Sequence, residues 1–267
     1  MFEILDVKRA NYYKWLKHSK SERDLKNEEL ADLVRKYDEK FNHTLGYRMM
    51  TDRINRDENK NYNDKQVYKV MKILGIKSII RPKRRSCTVR KSNNTAKNNL
   101  KRDFNASRPN EKWVTDVTEF ALFGIKLYLS PIIDLYNGEV ISYNLSRHPN
   151  LNQVTDMLEK AFSKIPDNTN LILHSDQGWQ YQHKHYQKML KEKGIRQSMS
   201  RKGNCLDNAC AENFFGLLKT ELLYLQEFHS VEHFIEELHE YIEWYNNKRI
   251  KLKLNGLSPV EFRQEAA

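Results

Sequence analysis

Apolar residues recur at three- and four-residue intervals through the front of the chain and at two-residue intervals further on. This change of period separates a helical region from one that carries a sheet. Leu30, Leu33, Val34 and Tyr37 share one helical face and predict a helix over 27–37. A second helix is predicted over 46–54 and a third over 64–74; the turn at 61–64 supplies an N-cap and Gly75 a stop. Ahead of these, 5–15 reads as a short turn feeding a helix that carries Tyr12, Tyr13 and Trp15. Beyond position 111 the pattern predicts strands over 113–120, 126–134 and 139–146, with turns at Phe123 and Gly124 and at Asn137 and Gly138. An amphipathic helix over 152–165, a buried strand over 171–175, a helix over 183–193 stopped by Gly194 and a strand over 195–199 follow. Helices over 207–219 and 231–246 come last, and the aromatic stripe of the second (Phe234, Tyr241, Trp244, Tyr245) reads as core. A meander that continues as strand–helix–strand is α/β.

Between the two regions the composition shifts. From Arg81 to Arg102 there are nine basic residues (Arg81, Lys83, Arg84, Arg85, Arg90, Lys91, Lys97, Lys101, Arg102) and no acid, with Ser, Thr and Asn filling most of the rest. Such a stretch buries too little to form a core and reads as an extended linker. The resulting division is a helical domain over 1–80, a basic linker over 81–110 and an α/β domain over 111–267.

Charge narrows the partners. The 46 Lys and Arg against 35 Asp and Glu give a net charge of +11, which calls for a polyanion, nucleic acid before an anionic membrane surface. No apolar run reaches the ~18 residues of a membrane span, and the N-terminus lacks a signal peptide, so the expected location is the cytoplasm. Cys87, Cys205 and Cys210 show neither Cys-x-x-Cys spacing nor an even count, which argues against a disulfide framework or a zinc finger.

Three acids stand in settings that suit metal ligands. Asp116 lies in a run of β-branched and aromatic residues, Asp176 closes a short apolar strand, and Glu212 sits in a predicted helix. Read singly, Asp176 is as readily a turn former and Glu212 a solvent-facing helix acid. Converging, they would make an all-oxygen site suited to Mg²⁺. Asp134 reads as a turn residue, Asp207 as the N-cap of the Glu212 helix, and Glu119 as facing away from Asp116. His174 is either packed or close behind Asp176, and Asn208 either touches substrate or supports the helix.

Thirty-five residues lie between Asp176 and Glu212, and Lys219 follows Glu212 by seven. The words around the acids are Trp-Val-Thr-Asp ending at Asp116, His-Ser-Asp-Gln-Gly from His174, and Asn-Ala-Cys-Ala-Glu-Asn-Phe-Phe from Asn208. Together they resemble the D,D(35)E signature of retroviral integrases and of the second-frame transposases of two-frame bacterial insertion sequences (the IS-three family, OrfB type). The resemblance continues through Tyr-Asn-Asn-Lys-Arg ending at Arg249 and Gly-Leu-Ser-Pro-Val-Glu-Phe ending at Phe262. It implies a ribonuclease H-like integrase core preceded by an all-helical, helix-turn-helix-like domain.

By resemblance, Asp116, Asp176 and Glu212 are catalytic and bind two Mg²⁺ ions, for which Mn²⁺ may substitute, and Lys219 holds DNA phosphate. The helix over 64–74 would be the recognition helix, presenting Lys65, Gln66, Tyr68, Lys69 and Lys72, while Arg84 and Arg85 would track phosphates from the linker. The implied partners are double-stranded DNA (terminal repeats and target), further copies of the chain, and an upstream-frame product or fusion, since only Phe2 to Leu5 remain of a first helix. The implied setting is the bacterial nucleoid. The implied chemistry is that of a polynucleotidyl transferase: hydrolysis at element ends, then attack of the freed 3′-OH on a phosphodiester. A nuclease that cuts without joining and a degenerate DNA-binding regulator are the alternatives. One departure is Arg249-Ile-Lys where the family has Arg-Pro-His, which leaves the geometry of that loop open.

Overall fold

The computed structural model describes residues 10, 13, 21–79, 95–201 and 205–265. The chain divides into two compact units, 1–79 and 80–267. In the first, α1 (Glu22–Lys40), α2 (Tyr47–Glu58) and α3 (Asp64–Leu74) surround Leu30, Val34, Tyr37, Met50, Ile54, Val67, Val70 and Met71. α1 starts well before its apolar stripe because Ser21 and Asp24 form a reciprocal capping box that satisfies its first N–H groups. Asn63 and Gln66 do the same for α3, and Gly75, at φ 72°, closes it. The Gln66 side chain is thereby committed to the Asn63 N–H.

The second unit is a six-stranded mixed sheet covered on both faces. Its strands are β1 (Lys112–Thr115), β2 (Thr118–Leu122), β3 (Ile125–Asp134), β4 (Val140–Ser146), β5 (Ile172–Ser175) and β6 (Arg196–Met199). β1, β2 and β4 pair with β3 antiparallel; β5 runs parallel to β1, and β6 parallel to β5. α4 (Leu151–Phe162) and α5 (Lys184–Lys193) pack with Trp113, Ile132 and Leu173 on one face. α6 (Ala209–Leu218) and α7 (Val231–Asn247) pack with Val114, Phe120 and Ile133 on the other. Trp113 and Val114 fall in opposite cores, as the pleat of a strand requires. The aromatics Phe234, Tyr241 and Tyr245 of α7 are core, as expected.

Three expectations change. The strand expected over 113–120 is broken: β1 and β2 share one register against β3, since Thr115 faces Ile132 and Thr118 faces Leu129, but the ladder lapses at Asp116 and Val117. Pro131 lies in the facing stretch of β3, and proline has no N–H to give a ladder. The helix expected over 207–219 starts at Ala209 and ends at Leu218, after which a wider π turn runs over Lys219–Leu223. The end of the basic stretch is laid onto the core rather than extended: Leu100 is 2% exposed, and the Asn99 and Leu100 N–H groups donate to Ser198 Oγ at 2.9 and 3.1 Å. Leu100, the Ser198 hydroxyl, the Gln197 carbonyl and the Asp207 carboxylate together dock a segment whose composition forecasts none.

The chain after α7 clasps the β3–β4 hairpin. Arg249 pairs with Glu221 through Nη2 (2.6 Å) and Nε (2.8 Å). Lys251 Nζ donates to the Asn137 and Gly138 carbonyls at 3.2 and 3.0 Å, which orders the loop that departs from Arg-Pro-His. From α8 (Pro259–Glu265), Arg263 bonds Asp134 at 3.0 Å. Asp134 accepts the Tyr136 N–H, the turn role expected of it, but is also fully buried against Arg263. Cys210 is a free thiol packed at the edge of the core.

Candidate active site

Parallel pairing of β1 and β5 sets Val114 beside His174. Carried two residues further, that register brings Asp116 and Asp176 together just past the ends of neighbouring strands, where parallel strands lie about 4.8 Å apart. Each carboxylate is held by the backbone that follows: Asp116 Oδ1 accepts the Val117 N–H at 2.8 Å, and Asp176 Oδ1 accepts the Gly178 N–H at 2.8 Å. Glu212 rises from the first turn of α6. The N-terminus of that helix is tied to the end of β1, because Asn208 Nδ2 donates to the Thr115 carbonyl at 3.5 Å.

Asp176 and Glu212 both act on the Asp116 carboxylate. Burial, then the neighbouring Asp176 carboxylate, and then Glu212 push Asp116 well above the ordinary carboxylate range, against hydrogen bonds from Val117 and Asn208 that lower it. Burial also raises Asp176. Among the described residues no three His, Cys, Asp or Glu side chains are assembled at metal-holding spacing. The donor set nevertheless suits a divalent cation: all ligands are hard oxygens, and the repulsion that raises Asp116 is the kind a cation relieves. Asn208, whose side chain bonds Asp116, has its Oδ1 buried without a hydrogen-bond partner.

His174 is a packed histidine. Its Nδ1 and Nε2 meet Ser198 Oγ (2.8 Å) and Ser200 Oγ (3.1 Å), joining β5 to β6, and burial lowers its pKa to about 4. Glu119 faces away as expected, paired with Lys126 at 3.0 Å. Lys219 lies over the Phe120 ring, and its Nζ donates to the Glu119 carbonyl at 3.1 Å, beside β2. Asp207 is not the N-cap of α6. That position belongs to Asn208, whose side chain makes no capping bond, while Asp207 is buried in a salt-bridge cluster. Its partners are Arg201, six residues back, and Asn98 and Arg102, more than a hundred positions away and beyond any local spacing. Tyr181, fully buried and within the field of Asp116 and Asp176, carried no signal either.

In the helical unit, Lys65, Lys69 and Lys72 stand exposed on α3, opposite the buried Val67, Val70 and Met71. Tyr68 is exposed on the same helix, edge-on to Tyr47. Arg84 and Arg85 lie outside the described residues. Among the described residues no helix is long and apolar enough to cross a membrane.

Residues 106–205 and 212–266 match family models described as integrase core domain, and 25–84 match an HTH-like domain. The chain is 49% identical to a putative transposase InsK for insertion sequence element IS150 of Escherichia coli strain K12, over 99% of this chain and 93% of that one. It is 32% identical to an uncharacterised 31 kDa protein of insertion element IS600 from Shigella sonnei, over 99% and 98%. Among solved structures, the catalytic core domain of HTLV-2 integrase in complex with magnesium (dimeric form) aligns over 59% of this chain and 98% of that one, at 18% identity and a TM-score of 0.48.

Proposed function

The chain belongs to the insertion-sequence transposases with an integrase core, and from that membership we propose that Asp116, Asp176 and Glu212 form its catalytic centre for DNA cleavage and strand transfer. The observation that carries this reading is the convergence at Asp116: parallel pairing of β1 and β5 brings Asp176 beside it, and both Asp176 and Glu212 act on its carboxylate from the end of the neighbouring strand and the start of one helix. Two divalent cations held by these carboxylates, Mg²⁺ or Mn²⁺, would supply positive charge at the attacking and leaving oxygens of a phosphodiester.

The protein's own share is placement. β1 and β5 fix two acids on the rigid sheet, Val117 and Gly178 orient their oxygens, and Asn208 holds α6 against the end of β1. In the joining step the 3′-OH of the element end bonds to the target phosphorus and the P–O3′ bond of the target breaks. One phosphodiester replaces another, so no energy source and no covalent protein–DNA intermediate is required. Lys219 contributes positive charge beside β2 for a phosphate of the bound strand. Residues 1–80 serve DNA recognition through Lys65, Lys69 and Lys72 of α3, residues 81–110 with Arg84 and Arg85 follow the backbone, and residues 111–267 carry the chemistry. Synapsis of two ends calls for self-association on DNA, with or without an upstream-frame fusion.

The test is joining of a pre-cut, labelled element-end duplex to a target plasmid, with Mg²⁺ or with chelator. Metal-dependent joining that falls at least about a thousandfold in Glu212→Gln, with DNA binding kept, is the expected result. Joining by Glu212→Gln at the wild-type rate would overturn the assignment.

A further inference from the structure

The Asp207 carboxylate is 1% exposed, on the short turn Cys205–Asn208 that leads straight into α6. Arg201 grips it with Nε on Oδ2 and Nη2 on Oδ1, both at 2.9 Å, and its own backbone N–H adds a third bond at 2.9 Å. Arg102 Nε reaches Oδ1 at 2.8 Å and Asn98 Nδ2 reaches Oδ2 at 3.1 Å. The Arg201 hydrogen bond leads the contacts that hold this carboxyl well below the usual range. One carboxylate thus serves two guanidiniums, and the cluster keeps a net positive charge.

Both guanidiniums remain open to solvent, with side chains 42% (Arg102) and 57% (Arg201) exposed. A guanidinium carries five N–H donors in a fixed fork, of which the carboxylate takes two from Arg201. The backbone that delivers Arg102 is strained as well: Lys101 and Arg102 are successive non-glycine residues at φ 49° and 65°, in the left-handed region such residues avoid. Strain of this kind persists where surroundings impose it and gathers at functional sites. Here the burial of Leu100 and the bond to Asp207 impose it.

We propose that Arg102 and Arg201 together form a binding site for a DNA backbone phosphate, mounted on Asp207 so that the strand it holds is in fixed register with the Glu212 helix. This rests on the reading that the chain acts on DNA. Asp207 is a positioning residue: it touches the two guanidiniums, and through Asn208 its turn continues into α6.

Binding of a fluorescein-labelled mixed-sequence duplex to the full-length chain, in chelator and over a range of salt, tests the site without catalysis. Each lost phosphate contact lowers the slope of log affinity against log salt by about 0.9. The Arg102→Gln/Arg201→Gln variant should lose about 0.9 of slope, Arg201→Gln alone no more than that, and the double lysine variant almost none. Wild-type slopes in both glutamine variants overturn the site. Asp207→Asn should keep the slope while kcat for joining a pre-cut end falls at least about tenfold with KM unchanged; wild-type kcat overturns the mounting role. Loss of joining in the wild type would strike the catalytic reading alone, since the slopes are measured without metal.

Discussion

A methyl group at position 178 would stand 2.9 Å from Asp176 Oδ1 and 2.6 Å from the Gln180 carboxamide. Gln180 can swing aside, but the Asp176 oxygen is the one that accepts the Gly178 N–H. Gly178→Ala therefore displaces a carboxylate while leaving the DNA-contacting cations untouched. Joining should fall by about ten- to a hundredfold, given what an ångström of misplacement costs a reaction. Single-turnover joining measured beside duplex binding separates this from lost affinity. Lys251 carries a second prediction at this scale. Burial, with Arg249 nearby, lowers its pKa from 10.5 to about 7. The unfolded chain keeps that proton up to the ordinary value, so between pH 7 and 10.5 unfolding takes up a proton and stability at this position rises with pH. Below pH 7 both states are protonated and the cost of burying the ammonium is fully present. Lys251→Met should remove that rise, seen as a flatter plot of denaturant midpoint against pH. The elements that carry the three acids were legible in the sequence because each adjoins an apolar strand or helix, and the spacing of the acids singled them out. Asp207 was misread because two of its partners, Asn98 and Arg102, are non-local and a lone Asp before a helix looks like a cap whichever way it turns.

Among the elements, periodicity located the long helices and the strands of the sheet but not the short α8 (Pro259–Glu265), whose seven residues give too few turns to show a period. α1 runs back to Glu22 through turns with no apolar stripe, and only the Ser21–Asp24 pair marks its start. The break between β1 and β2 was hidden for the opposite reason, since alternation continues through Asp116 while the hydrogen bonding does not. The long helix α7 anchors its face of the sheet through Phe234, which lies 5.1 Å from both Phe120 and Phe228 between ring centroids. Phe234→Ala should cost about 3–5 kcal/mol, measured by chemical denaturation of the α/β unit. Asn63→Ala, which removes half of a capping box, should cost only about 1 kcal/mol and act on the helical unit.

Across the whole molecule, two units with separate cores carry one surplus of positive charge. Because each buries its own apolar set, thermal unfolding should show more than one transition. Divalent metal should raise only the transition of the α/β unit, by relieving the repulsion around Asp116, and Asp116→Asn should shrink that gain. Calorimetry with Mg²⁺ and with chelator reads both effects. The charge and the linker composition forecast a polyanionic partner from the sequence alone. Composition could not forecast that the last part of the basic stretch folds back onto an edge strand, because that docking rests on one leucine and on hydrogen bonds to Ser198, Gln197 and Asp207 about a hundred positions away.

The clasp of the chain's final stretch on the β3–β4 hairpin bears on the timing of biosynthesis. Asp134 and Glu139 receive Arg263, and the Asn137 carbonyl receives Lys251, from residues translated more than a hundred positions later. While those residues are still inside the ribosome, the buried Asp134 has no cation beside it, and the sheet that carries Asp116 lacks its closing contacts. A polypeptide released early, by a stop codon ahead of Arg249, would hold all three acids and still be poorly folded.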